Sequence, residues 1–152
     1  MKKYLYTIMM AMLPVLSWSL SSCGSDGDDD IDDNQSGSKS ELVGTWDIEK
    51  TTTKYYTTVA EAADYYNREE VEDGDGAYWV FTSSTLTVYD DNDVADGAAV
   101  KYTYDKSSGE LKIAGAFTYK VKKLSSSSMT LFMDSSDGQF GISTTIEFAK
   151  RN

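Results

Sequence analysis

From Glu41 onward, apolar and polar residues exchange places at every second position, and turn residues interrupt them at short intervals. Leu42, Gly44, Trp46 and Ile48 share one parity, as do Ala77, Trp79 and Phe81, then Leu86 and Val88, then Val100, Tyr102 and Tyr104. The series continues through Leu111 and Ile113, Phe117, Tyr119 and Val121, Met129, Leu131 and Met133, and ends on Ile142, Thr144, Ile146 and Phe148. A period of two belongs to strands with one face toward a core and the other toward water. The connections Ser83-Ser84, Lys106 to Gly109, Ala114-Gly115, Ser125 to Ser128 and Asp134 to Gly138 are hairpin-sized, so sequential strands are neighbours. The fold class expected is all-β: an eight-stranded antiparallel up-and-down barrel, since closure removes the exposed edges of an open sheet.

One stretch departs from this period. Thr58-Val59-Ala60-Glu61 has the spacing of a capping box, Val59, Ala62, Ala63 and Tyr66 recur at helical intervals, and Asp73-Gly74 supply a stop. The spacing predicts one short helix after the first strand, over Val59 to Val71, across a barrel mouth or against the barrel's side.

Several chemistries are closed to this chain. It has no histidine and one cysteine, which removes Ser-His and Cys-His catalysis, Cys-based zinc sites and an intramolecular disulfide. The 25 acidic residues against 14 basic ones leave a net charge of −11, a poor match for nucleic acid, whose binding depends on basic groups that neutralise phosphates. Residues 23–40 contain one large apolar side chain, Ile31, too little for a core. The domain organisation expected is therefore a signal segment over 1–22, an acidic tether over 23–40 and a single barrel over 41–152.

The beginning of the chain supports the first of these assignments. Met1-Lys2-Lys3 is a positive start, Tyr4 to Leu20 is an apolar run interrupted by Pro14, and Leu20-Ser21-Ser22-Cys23 follows. The run is short and lacks the basic stop-transfer flank of a membrane span. Leu20 to Cys23 resembles the lipobox of bacterial lipoproteins, a leucine and two small residues before a cysteine. That resemblance implies cleavage before Cys23, lipidation of its thiol with palmitate-like acyl chains, and attachment to a membrane. Two or more chains, at ~0.8 kcal/mol per buried CH₂, suffice for stable anchoring. Behind it, Asp26, Asp28, Asp29, Asp30, Asp32 and Asp33 with interspersed Gly and Ser form a solvated, self-repelling tether. The run also resembles the acidic export signal of surface lipoproteins in certain Gram-negative anaerobes, which implies the outer membrane and display at the cell surface. Tether and export signal both remain open. An EF-hand does not fit, because Ile31 stands where the loop glycine belongs and Gly37 where the closing glutamate belongs.

Leu42-Val43-Gly44-Thr45-Trp46 resembles the Gly-x-Trp opening of lipocalins, and the layout from 41 to 152 is similar to the short lipocalin-like domains of bacterial lipoproteins. Tyr-Trp-Val-Phe at 78–81, Tyr-Lys-Val at 119–121 and Phe-Ala-Lys-Arg at 148–151 belong to the same resemblance. It implies structural roles for Gly44 as a close backbone approach, for Trp46 near the closed end of the barrel, and for Arg151 packed over that indole. It also implies a small apolar or amphipathic ligand.

The inward-facing aromatics Trp46, Trp79, Tyr102, Tyr104 and Tyr119 are the candidate ligand-binding residues: an open barrel would present them as an apolar pocket with phenolic handles, and a closed one would be filled by them. Asp90-Asp91-Asn92-Asp93 with Asp96 matches no spacing that closes a calcium site, and Glu72, Asp73 and Asp75 take the same discount. No metal or cofactor is expected. Carboxylate-pair hydrolysis finds no pair of acids on the inward parity, so no catalytic residue is assigned. The functional expectation is a non-enzymatic, lipid-anchored ligand-binding domain. Its alternative is a protein-interaction accessory module of an outer-membrane or extracellular complex.

Overall fold

The computed structural model describes residues 41–152. The signal segment, the lipidation site Cys23 and the acidic tether lie outside the described residues.

The element order is β1 (Gly44–Thr57), α1 (Ala60–Tyr66), β2 (Arg68–Asp73), β3 (Tyr78–Phe81), β4 (Thr85–Tyr89), β5 (Val100–Asp105), β6 (Glu110–Ile113), β7 (Phe117–Leu124), β8 (Ser128–Ser136) and β9 (Phe140–Lys150). Each strand from β3 to β9 pairs antiparallel with its successor, and β9 returns to β1 through Trp46↔Lys150 to Thr57↔Phe140. Together with Gly44↔Phe81 to Asp47↔Tyr78 between β1 and β3, this closes an eight-stranded up-and-down barrel. The eight expected strands are β1 and β3 to β9.

The ninth strand corrects the helix prediction. Only Ala60–Tyr66 is helical, and Arg68–Asp73 is a strand antiparallel to β1 from Lys50↔Asp73 to Tyr55↔Arg68. Ladder hydrogen bonds along an otherwise open stretch of β1 outweigh a weak helical pattern on an exposed segment. The Lys54–Glu69 ion pair at 2.8 Å and the Arg68 guanidinium 3.6 Å over the Tyr55 ring strap β2 to β1. The expected capping box does not form. The N-cap is Val59, without a side-chain cap bond, whereas Thr57 Oγ1 accepts the Val59 N–H and Thr58 Oγ1 donates to the Gly138 carbonyl.

Two irregularities put the right side chains inside. In β1 the register shifts between Ile48 and Lys50, so the inward parity passes from Trp46 and Ile48 to Thr51, Thr53 and Tyr55. Without that extra residue Lys50 and Lys54 would enter the barrel; instead Lys50 pairs with Glu147 outside at 2.8 Å. In β7 the shift between Val121 and Lys123 turns Leu124, rather than Lys123, toward the core. The β1 bulge faces the break between β2 and β3, where Ile48 N–H donates to the Ala77 carbonyl and Gly74 N–H to that of Glu49. A side chain on Gly74 would overlap the Ile48 carbonyl, so this crossing requires glycine.

The core runs the length of the barrel, with Leu42, Trp46, Phe81, Leu86, Leu111, Met129, Leu131 and Phe148 fully buried. Leu42 and Trp46 close one end, tied by a 2.7 Å hydrogen bond from the indole N–H to the Leu42 carbonyl. At the other end α1 lies over the inward faces of β1 and β9, with the Tyr66 ring edge-on to Phe140 at 4.8 Å and to Tyr55 at 6.4 Å. Of the two placements expected for the helix, this is the mouth.

Candidate functional site

The strands bring three of the five candidate ligand-binding residues into one ring network. Trp79 sits at its centre, 5.2 Å from Phe148, 6.1 Å from Tyr119 and 6.1 Å from Phe81, mostly edge-on. Phe81 passes the contact to Tyr102 at 5.1 Å and 89°. Edge-to-face pairs at these separations are favourable contacts beyond their area. Burial pushes the Tyr119 and Tyr102 phenols up from their ordinary 10.0, and the Tyr102 hydroxyl donates to the Thr82 carbonyl at 2.7 Å. Rings that touch one another in this way serve as core, the closed alternative of the two left open by the alternation.

The remaining two candidates are elsewhere. Trp46 lies at the closed end and is 0% exposed. The expected cation over its indole is there, but it is Lys150, with Nζ 5.0 Å from the ring and 3.1 Å from the Val43 carbonyl. Arg151 instead lies 4.0 Å over the Tyr78 ring, with Nε 2.8 Å from Asp47. Successive residues of a strand face opposite sides. Lys150 pairs directly with Trp46 and shares its side, which sends Arg151 to the outer surface. Gly44 is the close approach expected of it: a Cβ there would lie 2.8 Å from Lys150 Cε, and its φ of +135° is one that side-chain-bearing residues rarely adopt.

Tyr104, the last candidate, lines a groove of about 650 Å³ at this closed end, along with Glu41, Lys106, Gly109, Val121, Lys122, Lys123, Leu124, Ser125, Ser126 and Lys150. Three connections build it: the β5–β6 and β7–β8 hairpins, and the chain entering β1. The β5–β6 turn is held by Asp105, whose carboxylate accepts from the Ser107 and Ser108 hydroxyls and the Ser107 N–H. These donors hold its pKa down at about 2. The β7–β8 turn is held by Ser125 Oγ, which accepts the Ser128 N–H at 3.0 Å. Lys106 reaches across to Glu41, which raises the lysine's pKa. Burial, with the Glu41 charge second, raises that of Tyr104. The β7 bulge places Lys122, Lys123 and Leu124 together on the groove wall, a consequence that strict alternation does not foresee. The available signal is the run Lys120, Lys122, Lys123 in a chain of net charge −11.

The acidic loop after β4 uses its carboxylates internally. Asp90 Oδ1 accepts the N–H groups of Asn92 and Val94, and Asp93 accepts from the Tyr78 hydroxyl at 3.0 Å. Among the described residues no three acidic or sulfur side chains are arranged to share a metal ion.

No family model matches the chain, and no curated protein matches it. Among solved structures, a lipocalin-like protein from Bacteroides uniformis is similar at 18% identity, over 73% of this chain and 99% of that one, with a TM-score of 0.42. At that level of similarity the barrel assignment stands on this chain's own strand pairing.

Proposed function

We propose that this chain is a lipid-anchored, non-enzymatic binding module displayed on the outer face of an outer membrane, its packed barrel serving as the scaffold for a small amphipathic ligand. The anchoring rests on Leu20-Ser21-Ser22-Cys23, and surface display on the aspartates behind it. One observation carries the binding reading: the closed end holds a groove of about 650 Å³ with both apolar and polar walls, a volume that suits a small ligand. The aromatic interior is its support. Metabolic labelling with a fatty acid should mark the wild type and leave Cys23→Ala unmarked; label retained by the variant contradicts the anchor. Amide chemical shifts of the full chain, titrated with small amphiphiles of anionic, cationic and neutral head group, should move at Gly109 and at Lys122 to Ser126. Shifts that avoid this groove for every head group contradict the binding reading.

A second reading, the accessory protein-interaction module, draws on α1 and β2. Tyr65 is 76% and Val71 56% exposed, and β2 has β1 as its sole sheet neighbour among the described residues. An edge strand of this kind can accept a partner strand. Under that reading Val71→Pro blocks association with a membrane partner while the groove titration is unchanged.

A further inference from the structure

The nine lysines among the described residues fall into two groups, with and without a carboxylate partner. Lys50, Lys54, Lys106, Lys112 and Lys120 each have a carboxylate within 4 Å. Lys101, Lys122, Lys123 and Lys150 have no ion pair among the described residues; Lys101 lies outside the closed-end groove, and the other three line it. Acidic side chains are in excess over basic ones by a wide margin, so scattered surface lysines would be expected to find partners. Lys122 lies 5.0 Å over the Phe132 ring, and Lys150 is braced by the Val43 carbonyl and the Trp46 indole. Such contacts orient an ammonium without neutralising it. The same groove is lined by the apolar side chains Val121 and Leu124, by Tyr104 and by Ser126.

From this arrangement we infer that the groove binds an oxyanion carried on an apolar body, a phosphate or carboxylate headed amphiphile. The inference rests on the binding reading above and specifies its ligand. The head group meets Lys122, Lys123 and Lys150, and the apolar body lies against Val121, Leu124 and Tyr104. Glu41, the one carboxylate in the lining, is already engaged by Lys106, which moderates its repulsion of an incoming anion. The net negative charge of the whole chain opposes the approach of anions in general. Selectivity therefore comes from the local lysines together with the apolar wall, and inorganic phosphate alone binds weakly.

The test is titration calorimetry with the full chain, using monomeric dodecyl phosphate, dodecyltrimethylammonium and inorganic phosphate as probes. Dodecyl phosphate should bind and the other two should bind at least about tenfold more weakly. The double variant Lys122→Gln, Lys123→Gln should lose about tenfold in affinity through two charge-assisted contacts. Lys101→Gln, outside the groove, should leave affinity unchanged. Binding should weaken with added salt. Equal binding of both amphiphiles, with shifts still mapping to Lys122 to Ser126, overturns the anion assignment and leaves the binding reading intact. Dodecyl phosphate binding that is unchanged in the double variant, or absent in the wild type, also overturns it.

Discussion

Lys150 rather than Arg151 crosses the first tryptophan, and the one-residue difference follows from strand parity. Its stem passes over Gly44 and its ammonium lies on the indole face, so Trp46 and Lys150 should be energetically coupled. Denaturant unfolding should show a loss of ~3–5 kcal/mol for Trp46→Ala, which empties a fully buried site. A double-mutant cycle with Lys150→Ala should return a coupling of ~0.5–1 kcal/mol, and the same cycle with Arg151→Ala should be additive. Asp105 offers a check by pH. Its folded pKa of about 2 lies below the ordinary 3.8, so its contribution is in full force above the unfolded value and is lost as pH falls toward 2. A carboxyl chemical-shift titration should put its midpoint near 2, moving to the ordinary range when Ser107 and Ser108 are both alanine. At this scale Trp46 and Gly44 were legible in the sequence, because the alternation and the Gly-x-Trp pattern mark them. The cation was misassigned by one position, since the end of β9 shows no alternation that would tell Lys150 from Arg151.

Among the elements, β1 carries most of the architecture, pairing with β9 on one edge and with β3 and β2 in succession on the other. The crossing of its bulge with the β2–β3 break depends on Gly74. Gly74→Ala should cost ~2–4 kcal/mol, since backbone atoms cannot move aside as a flexible side chain can; a neutral effect in thermal unfolding would contradict the close crossing. α1 is held at the mouth by Tyr66 against Phe140 and Tyr55. Tyr66→Ala should therefore raise amide exchange across 60–66 and leave β3 to β8 protected. The eight barrel strands were legible because each keeps its period long enough to display one apolar face. β2 was not, because Arg68-Glu69-Glu70-Val71-Glu72-Asp73 is exposed on both faces and carries no apolar period. Its strand state comes from the neighbour it pairs with. The bulges were invisible for a related reason, as each is a single residue whose effect is to reset the parity that follows.

For the whole molecule, a closed sheet filled by contacting rings explains how a chain without a disulfide within the barrel is held together. Burial raises the phenol pKa values of Tyr102 and Tyr119 above 10.0. The neutral phenols thus stabilise the fold in full below pH ~10, and that stability is lost as pH rises through the raised values. In a spectrophotometric titration the phenolates of these two residues should appear above the ordinary tyrosine range. The sequence left the barrel interior undecided between pocket and core, because inward aromatics satisfy both; ring-to-ring geometry decides it, and that depends on contacts between distant strands. The groove was equally out of reach, being assembled from two hairpins and the chain entry. The central claim is that the barrel is a packed scaffold, and denaturant unfolding of the wild type and Trp79→Ala, each with and without indole, tests it most directly. Packing predicts that Trp79→Ala loses ~3–5 kcal/mol and recovers part of it in indole, which enters the vacated space, while the wild type gains nothing. A wild type stabilised by indole as much as the variant, or a Trp79→Ala that costs almost nothing, would contradict it.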